Sequence, residues 1–370
     1  MVSNNNFKNK SIIIAGGGTG GHLFPALAIG EKLTEFGANV FYFGSKFGIE
    51  SNILKNKKLP HLLLNIRGIQ RGLDLKSIGK NLLFPFRFIY STIIALVRIR
   101  KTKPSIVIGT GGYSSGIPLY CAKFLGIPYF LHEQNSYPGF TTRLFAKNAQ
   151  LVFMGNQKAK DYLNIENYKI TGNPIRYTIN KMNQLDARKK LNLLENKFTI
   201  FFFGGSQGSM PINEYLISNY KSYIKLGCQL IWQCGENSYN RIVEKVEDPQ
   251  VHIKSFINQM EVAYSAASLV ICRSGAISLS ELTAFGKAMI LIPFPHAAGN
   301  HQEYNARALE EKNAAIIVLQ KDLNSGILEE KVKNLIDNND EIKKLEKHSK
   351  ANSILNSTDN IVNQIMKIID

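Results

Sequence analysis

The sequence predicts an α/β protein built from two doubly wound, Rossmann-like domains facing a cleft. Three observations carry that expectation. Residues 11–30, SIIIAGGGTGGHLFPALAIG, read as a buried strand, a glycine turn and a helix. The same rhythm returns at 105–125 and again at 199–216. Between these points, short apolar runs end in polar clusters, as strands of an open parallel sheet do at their carboxyl ends.

In the first stretch, Ile12, Ile13 and Ile14 are β-branched and apolar, as a strand buried on both faces requires. Gly16, Gly17, Gly18, Gly20 and Gly21 let backbone N–H groups approach a ligand. Ala26, Leu27, Ile29 and Leu33 recur at helical spacing behind them, so a helix N-terminus faces the same place. His22 adds an imidazole. Gly16, Gly18 and Gly21 match the dinucleotide fingerprint, which needs a carboxylate closing the second strand. That strand, Val40–Phe43, is followed by Gly44, Ser45 and Lys46, and the first carboxylate is Glu50, several residues too late. No Gly-Lys-Ser/Thr follows, so the turn is not a P-loop.

Residues 65–80 mix basic residues with glycine and read as a loop. Residues 81–99, NLLFPFRFIYSTIIALVRI, are almost continuously apolar and end in RIRK. Either a core helix or a helix face at a membrane interface fits, but a span would bury Arg87 in hydrocarbon. Further strands are expected at Ser105–Ile108, Pro128–Leu131, Leu151–Met154 and Tyr168–Thr171. A polar stretch, 172–198, carries a basic helix around Ala187–Leu191. The rhythm then restarts with strand Thr199–Phe203 and the turn Gly204–Ser209. Strands at Leu230–Cys234, Val251–Lys254, Leu269–Cys272 and Met289–Ile292 follow, and 327–370 is helical in pattern.

The 370 residues suffice for two cores, and 44% apolar with 20% charged residues is an ordinary globular composition. The four cysteines are scattered without a C-x-x-C pair, so they read as buried reduced thiols. The N-terminus is polar and lacks the apolar stretch of a signal peptide. Net charge is +17, and it is uneven. Residues 1–170 hold 22 Lys/Arg against 7 Asp/Glu, whereas the remainder holds 23 against 21. The basic half points to an anionic partner. Its charges are dispersed rather than gathered on a recognition element, which argues against nucleic acid and leaves an anionic membrane surface or a charge that merely aids solubility.

In the second half, Gly275 and Ala276 open a helix at a strand end with Glu281 inside it. A carboxylate there can accept hydrogen bonds from ribose hydroxyls while the helix N-terminus faces a diphosphate. Arg273 and Ser274 beside it favour ligand binding over a solvated face, and His301 and Gln302 can bind hydroxyls. No D-x-D occurs, so nothing marks a diphosphate-bound metal, and no cofactor is expected.

Taken together, GGGTGGH, GTGGYSSG, HEQN, GNPIR, GGSQGS, CRSGA…SE and HQ-x-x-N, in this order from residue 11 to about 316, closely resemble one family. It is the UDP-N-acetylglucosamine–N-acetylmuramyl-(pentapeptide) pyrophosphoryl-undecaprenol N-acetylglucosamine transferases, the MurG family of peptidoglycan synthesis. The resemblance implies a glycosyltransferase fold of the B type. It implies an acceptor- and membrane-facing domain at 1–173, a UDP-sugar domain at 174–353, and a last helix at about 354–370 packing back onto the first. It further implies inverting transfer of N-acetylglucosamine from its UDP donor to the 4-hydroxyl of an undecaprenyl-diphosphate muramyl-pentapeptide. The setting would be the cytoplasmic face of the cell membrane, peripherally and without a span.

By the same resemblance His22 is the base, and Thr19, Gly20 and Gly21 lie along the donor sugar. Asn135 contacts the N-acetylglucosamine, and Arg176 and Ser206 approach the diphosphate. Ile257 pairs its backbone with uracil. Ala276, Ile277, Ser278, Leu279, Ser280 and Glu281 wrap diphosphate and ribose, and Gln302 holds sugar hydroxyls. Gly299 and Asn300 depart from the acidic or basic residues common in the family, which bears on fine donor contacts alone.

Overall fold

The computed structural model describes residues 7–68, 82–175 and 181–369. The chain divides into two compact units, Met1–Arg176 with Asn356–Asp370, and Tyr177–Leu355.

The first unit holds a seven-stranded parallel sheet in the order β3-β2-β1-β4-β5-β6-β7. Its elements are β1 (Ser11–Ala15), α1 (Gly20–Glu35), β2 (Asn39–Ser45), α2 (Glu50–Asn56) and β3 (His61–Leu64). There follow α3 (Phe84–Thr102), β4 (Ile106–Gly109), α4 (Tyr113–Phe124), β5 (Tyr129–Glu133), α5 (Phe140–Phe145), β6 (Leu151–Met154) and β7 (Tyr168–Ile170). Ile12 and Ile14 face one core layer and Ile13 the other, and all three are fully buried. Period-two alternation thus feeds both faces of one strand, each side chain contributing roughly 1.5–3 kcal/mol relative to exposure.

The second unit repeats the plan with six parallel strands in the order β10-β9-β8-β11-β12-β13. Its elements are α6 (Gln184–Lys190), β8 (Phe198–Phe203), α7 (Met210–Lys225), β9 (Cys228–Gln233), α8 (Glu236–Val243) and β10 (Val251–Lys254). The rest are α9 (Met260–Ala266), β11 (Leu269–Cys272), α10 (Ala276–Phe285), β12 (Met289–Leu291), α11 (His301–Glu310), β13 (Ile316–Ile317), α12 (Ile327–Asp337) and α13 (Asn339–Ala351). Strand order reverses direction at β1/β4 in one sheet and at β8/β11 in the other. Those are the positions where doubly wound sheets bind ligands.

The last helix, α14 (Ser357–Ile369), belongs to the first unit. Its Ile361, Val362, Ile365 and Met366 are buried with Leu23, Leu27 and Phe7, and Asp359 pairs with Lys32 of α1 at 3.0 Å.

Two edge strands, β3 and β13, were not expected from the sequence. Both are short, and β3 directly follows Pro60, whose missing N–H discourages a strand reading. The apolar run is a helix, α3, with Pro85 in its first turn and Lys103 closing it in the left-handed region (φ 46°) before Pro104. Only its small and narrow side, Ser91, Ala95 and Ile99, is buried. Phe86, Tyr90, Ile93 and Val97 form an exposed stripe at helical spacing, Phe86 at 71% and Val97 at 63%. Among the described residues, no helix is long and apolar enough to cross a membrane. The loop expected at 65–80 falls largely outside the described residues, and Arg176 lies outside them entirely.

Candidate active site

In the first unit, the turns after β1 and β4 interlock. Gly18 (φ 84°), Gly111 (φ 92°) and Gly112 (φ 78°) occupy the left-handed region. A Cβ on Gly112 would stand 2.3 Å from the Gly17 carbonyl oxygen, so only glycine permits this approach. A Cβ on Gly111 would lie 2.8 Å from His22 Nδ1, so the second turn shapes the seat of the imidazole. Thr110 Oγ1 donates to the His22 carbonyl at 2.8 Å, fixing the start of α1 against the end of β4.

Glu50 is the residue that sequence reasoning passed over. Its carboxylate is fully buried and accepts the N–H groups of Gly18 at 2.7 Å and Ser45 at 2.8 Å. The turn's backbone N–H at Gly18 is therefore satisfied from within. The carboxylate too late for a dinucleotide ribose is the internal brace of the turn.

His22 is half-buried, and its Nδ1 lies 2.9 Å from Gln134 Oε1. Gln134 Nε2 reaches the Thr110 carbonyl at 2.8 Å, His132 Nδ1 at 2.9 Å and the His132 carbonyl at 3.1 Å. His132 Nε2 meets the Gly172 carbonyl at 3.2 Å. Burial, with a smaller lowering effect of His22, holds the His132 imidazole down at about 4, against the raising effects of the Gly172 bond and Glu133. Next in sequence, the Glu133 carboxylate accepts from Asn135 N and Nδ2, each at 3.0 Å, from Gly139 N at 2.9 Å and from Thr142 Oγ1 at 2.6 Å. The HEQN segment thus divides its work. His132 and Gln134 run to His22, and Glu133 fixes buried Asn135. Thr19, Gly20, Gly21, His22 and the Asn135 segment are accordingly gathered at the β1/β4 reversal.

In the second unit the β8 turn is locked by backbone contact. A Cβ on Gly208 (φ 77°) would stand 1.9 Å from the Cys234 carbonyl oxygen. Gln233 links two expected donor elements. Its Nε2 donates to the Gly205 carbonyl at 3.1 Å, and its Oε1 accepts the Ile257 N–H at 2.9 Å. The Ile257 N–H is therefore engaged inside the protein. Ser206 stands exposed on the turn.

Arg273, read from the sequence as a neighbour favouring ligand binding at Glu281, spends its own donors inside the protein. Its guanidinium donates to Ser209 Oγ at 2.8 Å, to the Ile292 and Pro293 carbonyls at 3.1 Å each, and to Gln320 Oε1 at 2.5 Å. It ties the β8 turn to the ends of β11 and β12, and burial draws it down to about 10, so it remains a cation at neutral pH. After it, Ser274 Oγ donates to the Gln302 carbonyl at 2.7 Å, and Asn305 Nδ2 to the Ser274 carbonyl at 3.2 Å. These bonds bring α11 beside the start of α10. Gln302 Oε1 accepts the Phe294 N–H at 3.0 Å, which turns its amide N–H groups to other work.

The α10 residues separate by face. The N–H groups of Ala276, Ile277 and Ser278 occupy the first turn, where an α-helix provides no internal acceptor. Ser280 Oγ bonds back to the Ala276 carbonyl at 3.0 Å. The Leu279 side chain is buried in the core with residues of β11 and β12, so it shares that turn through its backbone. Glu281 is buried rather than solvated, and Tyr264 donates to its Oε2 at 2.8 Å.

These features sit in a chain with close relatives. Residues 12–154 match the glycosyltransferase family 28 N-terminal domain, and 199–365 match its C-terminal domain. The UDP-N-acetylglucosamine--N-acetylmuramyl-(pentapeptide) pyrophosphoryl-undecaprenol N-acetylglucosamine transferase of Thermoanaerobacter sp. (strain X514) is 35% identical over 369 residues, covering 96% of this chain and 99% of its own. The Halothermothrix orenii enzyme of the same name is 37% identical over 352 residues, covering 92% and 94%. The crystal structure of Acinetobacter baumannii MurG superposes with a TM-score of 0.77 at 27% identity, over 97% of this chain and 99% of that one. Two parallel sheets with these orders form the B-type glycosyltransferase fold. The chain belongs to glycosyltransferase family 28 and, within it, to the UDP-N-acetylglucosamine--N-acetylmuramyl-(pentapeptide) pyrophosphoryl-undecaprenol N-acetylglucosamine transferases, the MurG family.

Proposed function

We infer that this chain transfers N-acetylglucosamine from UDP-N-acetylglucosamine to the 4-hydroxyl of an undecaprenyl-diphosphate muramyl-pentapeptide, with His22 as the base. The imidazole at the β1/β4 reversal carries this reading. A sugar hydroxyl becomes a competent nucleophile as its proton is taken, and histidine is the side chain suited to that near neutral pH. The departing UDP needs donors where negative charge grows. The first-turn N–H groups of Ala276, Ile277 and Ser278, with Ser206 and the family's Arg176, would supply them. Glu281 would take the ribose hydroxyls, Ile257 the uracil, and Gln302 the sugar hydroxyls through its amide N–H groups. Thr19, Gly20, Gly21 and Asn135 would line the sugar path. Residues 1–173 would serve the acceptor and 174–353 the donor.

The acceptor's lipid tail stays in the bilayer, so the enzyme works at the cytoplasmic membrane surface. The α3 stripe of Phe86, Tyr90, Ile93 and Val97 supports docking there, flanked by exposed Arg100, Lys101 and Lys103. Arg98 is otherwise occupied, stacked 4.4 Å over the Phe41 ring.

Incubation with UDP-N-acetylglucosamine and a short-chain muramyl-pentapeptide diphosphate lipid should give the disaccharide lipid. No product with a folded, UDP-binding protein would refute the transfer. Separately, the full chain should sediment with anionic vesicles at low salt and be released by high salt. Replacing Arg100, Lys101 and Lys103 with Ser should weaken this. Equal binding to neutral vesicles, or none to either, would refute electrostatic docking.

A further inference from the structure

We propose that Gln134 and His132 are positioning residues that fix the tautomer of His22, holding its proton on Nδ1 and leaving Nε2 bare to receive the acceptor's hydroxyl proton. This rests on the reading of His22 as the base.

A carbonyl oxygen can only accept, so the 3.2 Å contact to Gly172 requires a proton on His132 Nε2. His132 is fully buried, and its imidazole stays neutral there, so its Nδ1 carries a lone pair and needs a donor. Gln134 Nε2 is that donor at 2.9 Å. The same nitrogen faces two further acceptors, the carbonyls of Thr110 and His132. Turning the amide over would set its oxygen against three acceptors at once. The orientation of Gln134 is thereby fixed by its partners, and its Oε1 must face His22.

Oε1 accepts only. His22 Nδ1, 2.9 Å away, must therefore donate. In the neutral imidazole that leaves Nε2 bare, and among the described residues nothing bonds to it. One orienting chain runs Gly172 carbonyl, His132, Gln134, His22. It transmits direction without moving a proton, because the amide stays neutral throughout.

The step balances as follows. The acceptor hydroxyl loses its proton to His22 Nε2 as its oxygen bonds to the anomeric carbon. The anomeric C–O bond breaks, and its electron pair leaves with the UDP diphosphate. The resulting imidazolium keeps its Nδ1–H bond to Gln134, so the chain need not rearrange. A histidine bearing its proton on Nε2 would have no lone pair there for this transfer.

The test is a two-bond 1H–15N spectrum of the full chain labelled with 15N-histidine, with the His22 and His132 signals assigned by subtraction using His22→Gln and His132→Gln. His22 should show protonated Nδ1 and bare Nε2, and His132 the reverse. A His22 signal with the proton on Nε2, or averaged between tautomers, would overturn the proposal. In Gln134→Met, which removes the acceptor at similar volume, the His22 signal should become averaged. There, kcat should fall about tenfold while KM for UDP-N-acetylglucosamine stays within about twofold. An unchanged tautomer with unchanged kcat in that variant would equally overturn it. Should that variant fail to fold, the wild-type spectrum decides. Full turnover in His22→Ala would remove the base assignment while the tautomer stood, so the two ideas fail separately.

Discussion

Behind the glycine turn of the first unit stands a buried carboxylate, and behind that of the second stands a buried guanidinium. Glu50 accepts the N–H groups of Gly18 and Ser45, whereas Arg273 donates to Ser209 and to the ends of β12. Two sheets of the same strand order, opening with the same sequence rhythm, have thus been given opposite electrostatics. A carboxylate at the first turn disfavours an anion there. Arg273 and the N-terminus of α10 favour one in the second. The glycine turn alone is therefore a shape and not a binding specificity. What it receives is set by the charge that braces it.

Removing the brace should produce the largest effect. Glu50→Ala leaves the buried Ser45 N–H and the part-buried Gly18 N–H without their acceptor, so we expect about 2–4 kcal/mol of lost stability. Denaturant titration reads this directly. An unshifted midpoint would mean that the carboxylate does not organise the turn.

His22→Ala separates chemistry from binding. Turnover should drop roughly 100-fold or more while UDP affinity holds, because the imidazole belongs to the first unit and, Arg176 apart, the UDP contacts we propose belong to the second. A loss confined to UDP affinity would break the division of labour between the units.

The buried His132 adds an acid sensitivity to the first unit. Its folded-state value is held down at about 4 by burial, below the ordinary 6.5. As pH falls below 6.5 the unfolded chain binds a proton that the folded chain refuses until about 4. Stability contributed by this group therefore falls across that window, by about 3 kcal/mol in total. In His132→Gln the stability difference between neutral and acid conditions should shrink. An identical pH dependence in both proteins would show that His132 is not the group refusing the proton.

The contrast between the units was only half legible in the sequence. Strands such as Ile12–Ile14, Thr199–Phe203 and Leu269–Cys272 announced themselves through β-branched and aromatic runs between turn residues, which are local signals. The resemblance supplied His22, Asn135 and Glu281 as members of motifs. The bracing groups carry no such signal. Glu50 meets Gly18 across 32 residues and Gln134 meets His22 across 112, so only the fold joins them. Arg273 was legible only as a neighbour favouring a ligand at Glu281, and its bracing role was not. An arginine beside a helix start reads as a ligand group, and nothing local shows that two carbonyls and two side chains already take its donors. Leu279 sits within a binding motif, but helical geometry turns its side chain into the core.

Within the second unit, Glu281→Ala should weaken UDP binding by about 1–3 kcal/mol, the usual range for hydrogen bonds to a charged group. Calorimetry on the folded variant is the measurement, and unchanged affinity would release Glu281 to a purely structural bond with Tyr264.

The smallest expected effect is the sharpest test of how the second turn receives charge. Ser206 is exposed at the tip of the β8 turn, between Gly205 (φ 94°) and Gly208 (φ 77°), on a backbone that Gly235 and Gln233 already hold. Among the described residues its hydroxyl bonds to nothing, so Ser206→Ala should leave the denaturation midpoint in place. A single neutral donor to a diphosphate contributes about 0.5–1.5 kcal/mol, so UDP affinity should fall by a few-fold to about tenfold. Uridine lacks the diphosphate, and its affinity should not change. Were UDP and uridine weakened equally, Ser206 would act on the nucleoside, and the turn would not be the diphosphate seat. Were neither weakened, the helix N-terminus of α10 would hold the diphosphate without help from the glycine turn.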